Sequence, residues 1–294
     1  MYSAIAANKR NTVFIILFFV LLIGGLATYA GYATGNGSSA FLIIGFVALY
    51  AVIQYYCAGA FSVAASGAVQ IQKSDNPRLW NTVENLSITE GMPMPKVYII
   101  QDEAPNAFAS GRDPKHAIVA ATTGLLAIMD DQELEGVMAH EMSHVKNYDI
   151  RVSTIVFGLI SAVGILADFL IRASFFSRGN GRDKNQLGAI LILFGIVAWI
   201  VSSLIGPLVN AAVSRQREYL ADATGAEITR FPEGLASALQ KLKEYGRPMR
   251  KASGSMAHMY ISDPVKPSVA ERLFSTHPPL EKRIERLKEL GGKF

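Results

Sequence analysis

The sequence predicts a mainly α integral membrane protein, in which two apolar helical hairpins alternate with two water-soluble segments that hold a small antiparallel β-sheet. Three observations lead there. From Asn11 to Gln72 there is no Asp, Glu, Lys or Arg, a run of 62 residues. A second charge-free run, Asn185 to Ser214, adds 30 more. The other 202 residues hold all 52 charged side chains, about 26%, which is the ordinary density of a soluble globular domain. Uncharged blocks of this length exclude a purely soluble protein, a disordered chain and a porin-like barrel, whose strands would alternate apolar and polar residues. The net charge of +4 is mild and no dense Lys/Arg run occurs, so nucleic acid is not expected as a partner. Cys57 is the single cysteine, which rules out an intramolecular disulfide.

The first 72 residues form the first membrane element. A span of the hydrocarbon core takes about 20 apolar residues, and the tract holds two: Val13 to Tyr32 and Ala40 to about Ala60, joined by Thr34-Gly35-Asn36-Gly37-Ser38-Ser39. A cleaved signal peptide would be shorter and would not be followed at once by a second span, so retained anchors are expected. Lys9 and Arg10 precede the hairpin, Lys73 and Arg78 follow it, and its turn carries no basic residue, which places both flanks in the cytoplasm.

The segment 73–152 is the first water-soluble part. Asn76-Pro77 opens a helix that runs to about Glu90 and is ended by Met92-Pro93-Met94-Pro95. Lys96–Gln101 and Ala117–Thr122 read as two strands of a β-hairpin, with Asp102–His116 between them as turn material. Asp130 and Asp131 are helix caps, and a helix from about Gln132 to Asn147 follows.

The segment 153–213 is a second hairpin. Ser153–Ile171 is apolar except for Asp168, which is expected to pair with Arg172 one turn on, and Leu187–Val213 is apolar throughout. The loop between them, Ser174–Gln186, is basic, which conflicts with the first hairpin's orientation and leaves open whether this pair fully spans. The segment 214–294 returns to ordinary charge density and completes the soluble part.

The chemistry lies on the helix near residue 140. His140-Glu141-Met142-Ser143-His144 is an H-E-x-x-H motif. At about 100° per residue the two imidazoles stand one turn apart on nearly the same face and can reach one zinc ion. Glu141 falls within the same arc and can face a reacting water without occupying a coordination position. With the strands before it, this helix gives a zincin-like domain. A catalytic zinc needs a third protein ligand and one open position. Glu218 and Asp222, at i, i+4 beyond the second hairpin, are the candidates: Glu218 to ligate, and Asp222 to hold the outer N–H of a ligand imidazole. The bland alternative for this pair is a solvated helix face.

Four segments, Pro105-Asn106-Ala107-Phe108-Ala109-x-Gly111, His140-Glu141-x-x-His144, Ser214-Arg215-x-Arg217-Glu218-x-x-Ala221-Asp222 and Phe274-Ser275-Thr276-His277-Pro278-Pro279, occur in this order. In them the chain resembles the HtpX-type membrane metallopeptidases, relatives of the CAAX prenyl endopeptidases, over nearly its whole length. The resemblance implies a zinc endopeptidase of bacterial protein quality control and stress response, multi-pass in the cell (inner) membrane, with its catalytic domain in the cytoplasm. It makes His140, His144 and Glu218 the ligands of one Zn2+ and Glu141 the general base. It makes His277, otherwise a loop histidine without a role, a stabiliser of the tetrahedral oxyanion, and gives Arg283 a supporting place nearby. Asn106 and Ala107 match a segment bordering the cleft, where an extended substrate would add as a strand. Tyr148 departs from the pattern, since relatives often carry a basic residue there.

Misfolded or unfolded membrane polypeptides are the expected substrates and the lipid bilayer the expected surroundings, because His144 lies only nine residues before the next apolar span. The oligomeric state is not expressed in the sequence. Three competing readings are a CAAX-type processing endopeptidase, a membrane scaffold with a structural zinc of four protein ligands, and a transporter. The presence of Glu141 argues against the scaffold. The scarcity of intramembrane polar residues argues against the transporter.

Overall fold

The computed structural model describes residues 2–33, 37–176, 192–200, 206–251, 256, 259–262 and 277–291. The chain divides into two compact units: Met1–Lys9 with Ala58–Thr154 and Val209–Phe294, and Arg10–Cys57 with Ile155–Leu208. The first hairpin's turn residues 34–36, most of the basic loop, residues 187–191 and 201–205 of the last apolar run, His258, and Phe274-Ser275-Thr276 lie outside the described residues.

The apolar runs are helical where described. Val13–Tyr32 falls within α1 (Tyr2–Ala33) and Ala40–Ala60 within α2 (Gly37–Ser66). Ser153–Ile171 falls within α6 (Asp149–Phe176), and residues 192–200 form α7. Among the described residues, Ala6–Gly25 is long and apolar enough to cross a membrane, and the bent pair Ala48–Cys57 with Gly59–Ser66 qualifies when taken together. In the second unit Phe19, Ile23, Ile155, Leu159, Val163, Ala167 and Ala198 bury one another. The Tyr50 hydroxyl donates to the Gly158 carbonyl at 3.0 Å. A Cβ at Gly158 would lie 1.6 Å from Gln54 Nε2, so a larger residue there would require the Gln54 side chain to move. The expected pair is present, with Arg172 Nε donating to Asp168 Oδ2 at 2.7 Å.

In the first unit, α3 (Pro77–Thr89) starts as expected, with the Asn76 side chain accepting from the Leu79 amide and Pro77 in the first turn. The sheet differs from expectation. It is mixed rather than antiparallel, with four strands, β1 (Val69–Gln70), β2 (Lys96–Ile100), β3 (Ala107–Gly111) and β4 (Ala117–Thr122), in the order β1-β2-β4-β3. β2 and β4 pair in parallel, not as a hairpin. The reason is β3, which takes up five residues of the segment that read as turn material and pairs antiparallel with β4. With β3 making the return trip, β4 runs in the direction of β2. The small residues of Ala-Phe-Ala-Ser-Gly hide a strand whose every residue is buried. Gly111 closes it with φ +137, where a Cβ would lie 2.4 Å from the His116 carbonyl oxygen.

After the short α4 (Thr123–Ile128), the helix bearing the motif, α5 (Asp131–Lys146), starts with a complete capping box between Asp130 and Glu133. It is the centre of the unit. Leu134, Val137, Met138, Met142 and Val145 are all fully buried, packed among α3, β3, β4 and α9 (Pro232–Tyr245). Glu133 also ties its N-terminus to α9, accepting from Ser237 at 2.7 Å and from Lys241 at 2.6 Å. α8 (Gly206–Thr229) and α10 (Leu280–Gly291) complete the unit. Two glycines permit close approach to α5: a Cβ on Gly136 would lie 2.7 Å from the Leu235 amide nitrogen of α9, and one on Gly225 of α8 would lie 3.1 Å from the His140 nitrogen.

The α5–α9 contact at Gly136 is backbone against backbone, so it cannot relax by moving a side chain. Gly136→Ala is expected to destabilise the protein by about 1–3 kcal/mol despite alanine's higher helix propensity. The check is the urea midpoint in detergent, which should fall; an unchanged or raised midpoint would contradict the close approach.

Candidate metal centre

α5 and α8 bring the motif and its distant partners together. His140 and His144 present their Nε2 atoms to each other at 3.2 Å. Glu218 reaches the pair from α8, with Oε1 at 3.3 Å from His144 Nε2 and Oε2 at 3.7 Å from His140 Nε2. One donor atom from each of the three side chains lies within 4.8 Å of the others, a grouping able to hold a metal ion. Glu141 lines the same cavity together with Ala109, Arg217 and His277. The cavity admits about 20 Å³ of water-sized volume, room for a single small occupant.

Each imidazole is held from behind by a carboxylate. His140 Nδ1 lies 3.0 Å from Asp222 Oδ1, and His144 Nδ1 lies 3.0 Å from Asp149 Oδ2. A carboxylate at Nδ1 takes up the N–H on that side of each ring, so that Nε2 is the nitrogen turned to the cavity. Asp222 is gripped in turn by the fully buried Arg283 of α10, whose Nη2 and Nε donate to it at 2.7 and 2.9 Å. Arg283 Nη1 also lies 3.2 Å from Glu218 Oε2, and His277 Nδ1 lies 3.1 Å from the same oxygen. The structure thus gathers His140, Glu141, His144, Glu218, Asp222, His277 and Arg283 at one place.

Asn106 and Ala107 stand apart from this cavity, whose β3 contribution is Ala109. Their polar groups are occupied by the chain itself. The Ala107 carbonyl accepts from the Ile261 amide at 2.9 Å, Asn106 Nδ2 donates to the Ser262 carbonyl at 3.0 Å, and Tyr260 forms an antiparallel bridge with Phe108. Met259, Tyr260 and Ile261 therefore run along the outer edge of β3 and line the cavity.

Two further residues stand at the site without a role in the sequence pattern: Asp149, and Arg217, which falls within one of the family-like segments. Asp149 begins α6 only two residues after the α5 cap, and Tyr148 between them takes a left-handed φ of 62, which folds Asp149 back under His144. A bulky residue seldom adopts that conformation. Here the Tyr148 ring is held by Lys9 and Arg151, whose cationic groups lie 4.6 and 4.9 Å from its centroid. The spacing of five from His144 across a helix end gave no periodic signal for Asp149. Arg217, adjacent to Glu218, lies 3.6 Å from Asp149 Oδ1.

The electrostatics separate the roles. Burial pushes the Glu141 carboxyl up to about 7. Burial would raise Glu218 as well, but the charges and hydrogen bonds of His277, His144 and Arg283 outweigh it and hold this carboxyl well below its usual range. Burial and the Arg283 charge lower His140, which keeps it neutral. For His144 burial acts in the same direction, yet Asp149 and Glu218 overcome it and raise the ring to about 10.

Residues 73–291 match the family described as peptidase family M48. The chain belongs to that family. This M48 chain is a metallopeptidase. It is 57% identical to a protease HtpX homolog of Tropheryma whipplei (strain TW08/27), each chain being covered in full. It is 42% identical to one of Thermoanaerobacter pseudethanolicus over 99% of this chain and 98% of that one. A third, from Streptococcus gordonii, is 40% identical over 99% of this chain and 100% of its own length. Among solved structures the M48 chain shares its fold with the crystal structure of S. mikatae Ste24p, at a TM-score of 0.54 and 17% identity, covering 96% of this chain and 67% of that one.

Raised to about 10 by Asp149 and Glu218, the His144 ring keeps its proton at neutral pH, whereas a metal ligand must offer a lone pair. Metal uptake by the M48 chain therefore expels about one proton at pH 7, and affinity rises with pH by about tenfold per unit below the His144 value. Titration calorimetry in buffers of different ionisation enthalpy measures this release; an affinity flat between pH 6 and 8 would contradict it.

Proposed function

We propose that this M48 metallopeptidase is a zinc endopeptidase that cuts misfolded or damaged membrane proteins at the cytoplasmic face of the bacterial cell membrane. The observation that carries the reading is the convergence of His140, His144 and Glu218 donor atoms within 4.8 Å, beside a buried Glu141. The donor set suits zinc, being two imidazoles and a carboxylate, and leaves a coordination position open. One buried carboxylate oxygen, Glu141 Oε2, makes no hydrogen bond among the described residues, as expected of a group that faces a metal or a reacting water.

In this reading His140, His144 and Glu218 hold the metal, which when bound supplies Lewis acidity to the scissile carbonyl and to a water. Glu141 takes the water's proton on its carboxylate and delivers it to the leaving amine, work for which a value near 7 is well matched. His277 lies against Glu218 and faces the same cavity, so it is placed to donate to the oxyanion that develops on the carbonyl. Asp222 keeps His140 in the tautomer that directs Nε2 inward, and Arg283 holds Asp222. The membrane-facing substrate class is supported by the short path from α5 to α6: His144 precedes the apolar run at Ser153 by nine residues, at most about 14 Å of helix. The four-part organisation 1–72, 73–152, 153–213 and 214–294 belongs to the same proposal, with the two hairpins as anchors and the other two segments as the halves of one catalytic domain.

The test compares wild type and Glu141→Gln in proteoliposomes holding an unfolded membrane-protein substrate. Glu141→Gln is expected to retain about one zinc per chain and to lose cleavage by at least ~10²-fold. His277→Ala is expected to lower kcat by about 10² with little change in KM. Undiminished cleavage by Glu141→Gln would overturn the assignment.

A further inference from the structure

We infer that Asn8, on the N-terminal helix, and Asp149 are positioning residues for the metal ligand His144, so that the first turns of the leading membrane helix belong to the metal centre. This rests on the reading of His140, His144 and Glu218 as ligands. Asn8 is 5% exposed and Asp149 4%, both far below the usual exposure of their residue types. Asn8 Nδ2 makes two hydrogen bonds, to Asp149 Oδ1 at 2.6 Å and to the Asn147 carbonyl at 2.9 Å. The amide group has two N–H donors, and this geometry uses both. It therefore bridges the C-terminal cap of α5 and the first residue of α6, across the left-handed Tyr148.

The carboxylate that Asn8 holds is the one that orients His144. Asp149 Oδ2 faces His144 Nδ1 at 3.0 Å, while Oδ1 lies between Asn8 at 2.6 Å and Arg217 Nη1 at 3.6 Å. The Arg217 contact is too long for a hydrogen bond but carries a full charge in a dry setting. Asn8 thus holds Asp149 against a rotation toward Arg217 that would draw Oδ2 away from the imidazole. The site is asymmetric in this respect. His140 has its carboxylate gripped by a buried arginine of the C-terminal helix, whereas His144 has its carboxylate gripped by a neutral amide from the other end of the chain. Outer partners of this kind commonly change metal affinity by about 10–100-fold when removed.

The experiment uses the full-length chain in detergent, with zinc affinity read by chelator competition and the ligand field read from the visible spectrum of the cobalt(II) form. Asn8→Leu, Asp149→Asn and the double variant are compared with wild type. Asn8→Leu is expected to weaken zinc binding about 10–100-fold and to alter the cobalt spectrum. The double variant is expected to bind no more weakly than Asp149→Asn alone, because Asn8 acts through Asp149. Asn8→Ser, which keeps a donor on a shorter arm, is expected to fall between wild type and Asn8→Leu and serves if the leucine variant does not fold. A metal-free thermal midpoint that falls while zinc affinity and the cobalt spectrum stay unchanged overturns the proposal in favour of a purely structural tie, and so do fully additive losses in the double variant. His144→Ala is the separate control: retention of wild-type affinity there would sink the ligand assignment itself, whereas loss there with an unaffected Asn8→Leu sinks only the role of Asn8.

Discussion

The buried guanidinium of Arg283 is the charge around which the catalytic unit closes. Glu218 and Asp222 stand one turn apart on α8 in a dry interior, where two carboxylates would repel each other and bear a desolvation cost of several kcal/mol each. Arg283 answers both, bidentate on Asp222 and 3.2 Å from Glu218, and also donates to the Ile261 carbonyl at 3.1 Å. One side chain from α10 thereby joins α8 to the segment that runs along β3. Gly225 lets α8 lie against the backbone at His140, and the carboxylates then meet the imidazoles without strain. With the cation removed, Asp222 would lose the charge that does most to hold it ionised, and with it the firm placement behind His140, while Glu218 would keep His277 and His144.

The groups that surround the cavity are matched in their electrostatics as well as in their distances. A neutral His140, a charged Glu218 and a carboxyl on Glu141 poised near 7 arise from one low-dielectric site because their neighbours differ. Glu141 and Glu218 are buried alike; what separates them is that Glu218 faces His277, His144 and Arg283 directly. Burial alone pushes both carboxyls upward, and contact with cations reverses the direction for one of them.

The residues that were legible in the sequence are those whose geometry is local. His140, Glu141 and His144 share one helix, Glu218 and Asp222 share another, and the caps at Asn76 and Asp130 act within four residues. What was hidden depends on distant pairing or on an unusual backbone. Apart from Phe108, β3 is made of small residues, so it reads as a turn until its place against β4 is known, and the parallel pairing of β2 and β4 follows from it. Asp149 is brought to His144 by the left-handed Tyr148, which no periodicity announces. For Asn106 and Ala107 the sequence resemblance indicated a substrate-binding edge, and what it did not indicate is that Ile261 and Ser262 hydrogen-bond to these two residues.

The long contacts across the metal centre also set when the site can come into being. Asn8 meets Asp149 across 141 positions of the chain, and Arg283 meets His140 across 143. During synthesis the H-E-x-x-H helix emerges well before Glu218, and Asp222 must wait longer still for its arginine. A growing chain therefore lacks the partner of Asp222 until α10, which carries Arg283, has been made. Loop closure over such separations is among the slower steps of folding. The order of the residues alone thus sets the assembly of this site after α8 and the apolar helices before it have been made.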